Sequence, residues 1–162
     1  MGVQGGPPMN QLTVEIVARL GTLNIEHRVM HHEAVTTSAD AARVRGVSLG
    51  SGAKAMVVSS AGRLSLFVIP ADKRLGWEEV QRALGVKSAR LATPEELEEK
   101  TGLTKGSVPP FGNLIGLPTY IDHAVLEQPL IRFNAGSLTD SVEMPGKALL
   151  EATGGTPGYF TT

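Results

Sequence analysis

The run Ala53-Lys54-Ala55-Met56-Val57-Val58, followed after the turn Ala61-Gly62-Arg63 by Leu64-Ser65-Leu66-Phe67-Val68-Ile69, decides the fold. Two short apolar runs rich in Val, Ile and Phe, separated by a glycine-bearing turn, read as an antiparallel β-hairpin buried at the centre of a sheet. Lys54 interrupts the first run. An unpaired ammonium is costly to bury, so three readings of it stay open. It snorkels from the strand end, it points to solvent on an open face, or it points into a cavity and meets an anion or an oxygen carrying developing charge.

Outward from the hairpin, local signals give the other elements. Asn10 is an N-cap; Leu12, Ile16, Val17 and Leu20 share a helical face, and Gly21 stands at the C-cap position of a helix over 11–20. Ile25, His27 and Val29 alternate with Glu26, Arg28 and Met30 as in a strand. Thr37 with Asp40 resembles a capping box for a short alanine-lined helix that begins near Thr36 and closes at Gly46. Trp77, Val80 and Leu84 recur at helical spacing before Gly85, and Ala89-Arg90-Leu91 reads as a short strand. Thr93-Pro94-Glu95-Glu96 starts a helix to Lys100, with Gly102 past its end. Thr119–Asp122, Leu130–Phe133 and Ser137–Met144 read as strands, and Pro145 opens a last helix through Thr153. These elements predict an α/β (α+β-like) fold: a mixed, mostly antiparallel sheet curled toward a small barrel, with helices around it. Residues 1–9 read as a disordered leader, 10–153 as a single domain and 154–162 as a flexible, fraying tail.

Composition narrows the function classes. The chain has 162 residues, 41% hydrophobic and 19% charged, which suits one globular core. A formal net charge of −1 excludes the broad cationic face that grips duplex nucleic acid, but not a small site that takes only its end. No cysteine is present, which excludes disulfides, thiolate metal sites and a cysteine nucleophile. No apolar run approaches the ~20 residues that span a bilayer, and Met1–Met9 lack a signal pattern, so a cytoplasmic location is expected.

The densest punctuation is Gly106-Ser107-Val108-Pro109-Pro110-Phe111-Gly112, continued by Asn113-Leu114-Ile115-Gly116-Leu117-Pro118. No helix or regular ladder survives such breakers. Its apolar residues favour a rigid, packed loop over a solvated linker. Backbone N–H groups of such a loop can hold a carbonyl oxygen or a phosphate. The loop fits neither a P-loop nor a dinucleotide fingerprint. His27, His31, His32 and His123 lack metal-ligand spacing and read as surface or hydrogen-bonded histidines. Asp122 and Asp140 read first as turn or structural acceptors, and no cofactor or metal is called for.

Taken together, the Lys54 strand, Gly106-Ser107-Val108-Pro109-Pro110, Gly116-Leu117-Pro118 before the strand ending at Asp122, and Phe133-Asn134-Ala135-Gly136-Ser137 resemble one family. It is the YbaK/ProX group of aminoacyl-tRNA editing deacylases, related to the editing domain inserted in prolyl-tRNA synthetases. The resemblance runs from about Leu12 to Leu150. It implies a small barrel with surrounding helices, and hydrolysis of the ester that joins a wrong amino acid to the 3′ end of a tRNA. By that resemblance Lys54 contacts the phosphate or ribose side of the terminal adenosine, and Gly106 places a backbone N–H near the ester carbonyl. Ser107, Val108, Pro109, Pro110, Phe111, Gly112 and Asp122 line the substrate, and Ser137 and Thr139 lie near the amino-acid pocket. The attacking water is activated by the vicinal ribose hydroxyl, so no protein base and no cofactor are needed. The expected partners are the tRNA acceptor end and a synthetase, with no membrane and with room for a homodimer. Leu138 and Phe111 depart from the family pattern and leave the edited residue open among cysteine, alanine, serine and threonine. A catalytically silent module that binds a tRNA end or nucleotide, and a structural protein with a merely packed loop, are the competing readings.

Overall fold

The structure is a computed structural model that describes residues 10–34, 37–46 and 48–162. The expected leader, 1–9, and Thr36 lie outside the described residues. In chain order the elements are α1 (Gln11–Thr22), β1 (Arg28–His31), α2 (Ser38–Arg45), β2 (Ala53–Ser60), β3 (Arg63–Pro70), α3 (Trp77–Leu84), β4 (Arg90–Leu91), α4 (Pro94–Thr101), β5 (Thr119–Asp122), α5 (His123–Leu126), β6 (Ile131–Asn134), β7 (Asp140–Met144), α6 (Leu149–Thr153) and β8 (Thr156–Gly158).

The expected hairpin is present. β2 and β3 pair antiparallel from Ala53↔Pro70 to Ser60↔Arg63. The two-residue turn puts Ala61 at φ 51° and Gly62 at φ 77°. Positive φ at both positions is the type I′ geometry whose twist matches the flanking strands. The hairpin lies inside a mixed five-stranded sheet of order β4-β2-β3-β5-β8, in which β3–β5 and β5–β8 are parallel. A second sheet, β1-β7-β6, is antiparallel throughout.

The expected barrel is corrected here. Among the described residues the strands form two sheets and no closed ring. They meet at an isolated parallel bridge, Gly52↔Arg132, after which β2 and β6 part. Space at Gly52 is tight: a Cβ there would lie 3.0 Å from the Ala71 Cβ and 3.3 Å from the Leu49 carbonyl oxygen, so a side chain could not be added without displacing its neighbours.

Apolar clusters cover the larger sheet on both sides. Leu66 and Val68 of β3 join Ile16, Leu20, Phe111, Phe133 and Leu149 on one side, and Phe67 and Ile69 join Val58, Leu75, Val80 and Phe160 on the other. This is why β3 reads as an unbroken apolar run. Helix ends follow their sequence signals where these are strong. Thr93 and Glu96 form the capping box of α4, and Gly85 and Gly102 take left-handed C-cap conformations. Gly21 does not end α1; the helix continues to Thr22, and the Leu23 N–H reaches the Arg19 carbonyl.

The C-terminal stretch is docked, not fraying. β8 pairs with β5, the Phe160 N–H donates to Asp122 Oδ2 at 2.7 Å, and the Phe160 carbonyl accepts from the Gly76 N–H at 2.7 Å. The Phe160 ring stands edge-on to Phe67 and Tyr120, with centroids 5.2 and 5.9 Å away. Truncating a buried aromatic side chain costs about 3–5 kcal/mol. Phe160→Ala is therefore expected to destabilise the protein by about that much in urea denaturation. A loss under ~1 kcal/mol would restore the fraying tail.

Candidate active site

The gap left where β2 and β6 part is a cleft of about 170 Å³. β2 contributes Ala53, Lys54, Ala55 and Met56, and β6 contributes Arg132, Phe133 and Asn134. Thr37, Ala41 and Ala42 at α2 and the loop residues Lys105, Gly106 and Val108 form further walls. Lys54 and Gly106, far apart in sequence, thus share one cavity.

Lys54 is half-buried, and its Nζ donates to the Lys73 carbonyl at 3.0 Å. Burial pushes its pKa below the ordinary lysine value of 10.5, and the Arg74 charge adds to this while Asp72 opposes it. The ammonium is thus kept where charge is disfavoured, a condition that an anion in the cleft would relieve. The cleft's charged walls among the described residues are Lys54, Lys105 and Arg132, with no Asp or Glu. Arg132 already has a counter-ion: its Nη2 lies 2.8 Å from Glu143 Oε2, and its Nε donates to the same oxygen at 2.8 Å. Burial works to raise the Glu143 carboxyl, but hydrogen bonds from Arg28 and Arg132 outweigh it and hold the pKa below the usual value. The site is therefore locally cationic in a chain whose net charge is −1.

The glycine–proline loop divides its labour. Gly106, at φ 90°, and Val108 reach the cleft. Ser107, Pro109, Pro110, Phe111 and Gly112 are buried and serve as anchor. Ser107 Oγ and N–H both donate to the Thr104 carbonyl, at 2.7 and 3.1 Å. Phe111 is fully buried and meets Phe133 at 5.6 Å between centroids. A Cβ on Gly112 would lie 1.9 Å from Thr119 Oγ1, so only glycine fits there. Beyond Gly106 lies a second, largely apolar cleft of about 160 Å³, lined by Leu91, Ala92, Pro94 and Leu97. The two clefts share Ala55, Met56, Lys105, Gly106 and Val108.

Three other candidates stand elsewhere. Asp122 is buried; its Oδ1 caps α5 at Ala124 and its Oδ2 holds the Phe160 N–H. Ser137 and Thr139 close the β6–β7 turn, with Ser137 Oγ donating to Asp140 Oδ2 at 2.9 Å and accepting from the Thr139 N–H at 3.1 Å. None of the three lines the cleft. His31 Nδ1 lies 2.7 Å from Asp140 Oδ1, His27 Nδ1 meets the Ile25 carbonyl at 2.9 Å, and His123 stacks on Tyr159. Among the described residues no group of three or more His, Cys, Asp or Glu is placed to hold a metal ion. Sequence reading assigned no role to Lys105, Arg132 or Asn134. Asn134 Nδ2 donates to the Gly106 carbonyl; its place in the Phe133–Ser137 segment of the family resemblance was a signal for it, but gave it no role.

Comparison with known proteins places this geometry in context. A family model described as the aminoacyl-tRNA editing domain matches residues 32–152. The multifunctional Ser/Thr-tRNA deacylase ProXp-y of Escherichia coli (strain K12) is 34% identical over 132 residues, 78% of this chain and 79% of that protein. The proline–tRNA ligase of Shouchella clausii is 33% identical over 86 residues, 53% of this chain but 15% of that enzyme. A crystal structure described as a candidate trans-editing enzyme for prolyl-tRNA synthetase superposes with a TM-score of 0.81 at 28% identity, covering 96% of this chain and 99% of that one.

The cationic lining yields a direct test. Lys105→Ala is expected to weaken binding of a short single-stranded oligonucleotide, and to flatten the slope of log K against log salt by ~0.7, the value for one fewer phosphate neutralised on a single strand. An unchanged slope in a salt titration would place Lys105 outside the anion path.

Proposed function

The chain belongs to the aminoacyl-tRNA editing domain family, of the YbaK/ProX type, and from that membership we infer that it is an aminoacyl-tRNA deacylase acting in trans. It hydrolyses the ester between a wrongly attached amino acid and the terminal ribose of a tRNA. The observation that carries the assignment to this site is the convergence of Lys54 and Gly106 on one cleft whose charged walls among the described residues are cationic.

The chemistry follows from that arrangement. An ester carbonyl at Gly106 has room on both sides of it, one cleft for the acyl group and one for the terminal nucleoside. The Gly106 N–H would donate to the oxygen as it becomes an oxyanion; one such donor accounts for ~10²–10³ in rate. Lys54, leaving the Lys73 carbonyl, would hold the phosphate or ribose side and fix the ester in register. The vicinal ribose hydroxyl would orient and activate the water. The bond to the ribose oxygen breaks, the acyl carbon gains the water oxygen, and the displaced ribose oxygen takes up the proton. Ser107 to Val108 and Pro109 to Gly112 shape the wall through the backbone they hold, while Ser137, Thr139 and Asp122 stay outside the cleft.

A synthetase partner is in keeping with the kinship to part of a proline–tRNA ligase, and a cytoplasmic setting with a tRNA substrate. No described helix is long and apolar enough to cross a membrane. A homodimer is compatible with this reading.

The deciding experiment is deacylation of a panel of mischarged tRNAs by wild type and Lys54→Ala. Release from a subset by wild type, reduced at least ~100-fold in the variant, is the expected result. A folded, fully active Lys54→Ala protein would remove Lys54 from the mechanism. Binding without turnover would favour the silent tRNA-end module.

Lys54 also makes a stability prediction with a definite sign. Its folded pKa lies below the unfolded value, so between the two the unfolded chain binds more protons and stability rises with pH. At neutral pH the wild type therefore carries a desolvated charge that Lys54→Met lacks. The variant is expected to be inactive yet slightly more stable near pH 7, with the advantage shrinking as pH climbs toward 10.5. Urea midpoints across that range check it; an advantage that grows with pH would contradict the depressed pKa.

A further inference from the structure

The carbonyl of Gly106 is held by a side chain of another element. Asn134, the last residue of β6, donates from Nδ2 to that oxygen, which leaves its Oδ1 directed at Ser141 Oγ, 3.5 Å away. Asn134 and Ser141 are register partners across β6 and β7, so their side chains rise on the same face. Ser141 is fully buried, and its Oγ lies 2.7 Å from His32 Nε2. The other ring nitrogen, His32 Nδ1, faces the Glu33 carbonyl at 2.7 Å. The Ser141 hydroxyl has one proton and therefore donates to only one of its two neighbours, His32 Nε2 or Asn134 Oδ1.

The same peptide unit is fixed at its opposite end. The Gly106 carbonyl and the Ser107 N–H belong to one plane, and the Ser107 N–H donates to the Thr104 carbonyl at 3.1 Å. A glycine at φ 90° has several accessible backbone states, since no Cβ restricts it. Two hydrogen bonds at opposite ends of the next peptide unit select one of them. This restrains ψ of Gly106, one of the two dihedrals that relate the held plane to the Gly106 N–H.

We propose that Asn134 is a positioning residue for the deacylation, holding the Gly106 carbonyl so that the Gly106 N–H keeps the orientation needed at the ester oxygen. The proposal rests on the reading of Gly106 as the oxyanion donor. Asn134 lines the cleft, but its action is through Gly106 and not on the ester.

Asn134→Asp and Asn134→Ala test it. Asp keeps the shape and loses the donor, leaving an acceptor against the carbonyl. Both Asn134 variants are expected to lower kcat for a mischarged tRNA by ~10–100-fold with KM nearly unchanged, because the lost orientation matters most in the transition state. A second readout is independent of turnover: hydrogen exchange of the Ser107 amide should quicken at least ~10-fold in Asn134→Ala while exchange in the β2–β3 hairpin stays unchanged. Wild-type kcat in both Asn134 variants, or unchanged Ser107 exchange, overturns the proposal while leaving the deacylase reading intact. If wild type releases no amino acid from any tRNA, that reading fails and the exchange measurement alone decides whether Asn134 holds the loop.

Discussion

Everything in the candidate site depends on β2 and β6 parting after one bridge. At Gly52↔Arg132 the sheets touch; no ladder continues from that bridge between β2 and β6, and residues of both strands line the cleft. A closed ladder in this position would use the backbone groups of both strands on each other and fill the interior with side chains. An open seam instead leaves room beside a central strand, with Lys54 at its edge. The absence of a side chain at Gly52 leaves room for Ala71 and the Leu49 carbonyl beside the bridge.

The same seam explains why the loop is built as it is. A backbone donor acts as a fixed dipole only when its peptide cannot turn. Pro109 and Pro110 restrict φ, Phe111 is sunk against Phe133, and Gly112 fits where a Cβ could not. Phe133 belongs to β6, the strand that also carries Asn134. One strand therefore fastens the loop twice, by apolar packing through Phe133 and by a hydrogen bond through Asn134. The prolines and Phe111, read from sequence as a ligand wall, work at the hydrophobic end of this fastening. Function and packing are alternate residues of one stretch.

Much of the fold was legible because its signals are local. The hairpin, the capping box at Thr93 and Glu96, and the glycines closing α3 and α4 need only neighbouring residues to be recognised. The docked tail was not legible. Thr156-Pro157-Gly158 has poor strand propensity, and its order comes from pairing with β5 and from Phe160 entering a distant apolar cluster. The open seam was hidden for the same reason, since two strands each read correctly say nothing about where their pairing stops. In the site, Lys54 stood out because a charge within an apolar run is anomalous. Arg132 and Asn134 did not, because polar residues at alternate positions of a half-buried strand look like a solvent face. Ser137 and Thr139 were placed near the amino-acid pocket by the family resemblance, yet Ser137 turns to Asp140, which precedes Ser141 on β7 and so directs its side chain to the opposite face.

Charge distribution gives the last step. A chain of net charge −1 cannot hold a long nucleic acid by a broad counter-ion exchange, whose strength grows with the number of phosphates met. It can take a strand's end, where few phosphates are present and local potential matters more than the total. Lys54 and Lys105 line the cleft with that potential, while Arg132 is held to Glu143 and contributes mainly to the frame. Because Lys54 is desolvated and faces Arg74, an arriving phosphate removes an existing repulsion as well as forming a new attraction. On the proposed reading, binding by the end of a strand is favoured over binding along it, and the ester, which sits at that end, would be brought to the Gly106 loop by the same interaction that selects it.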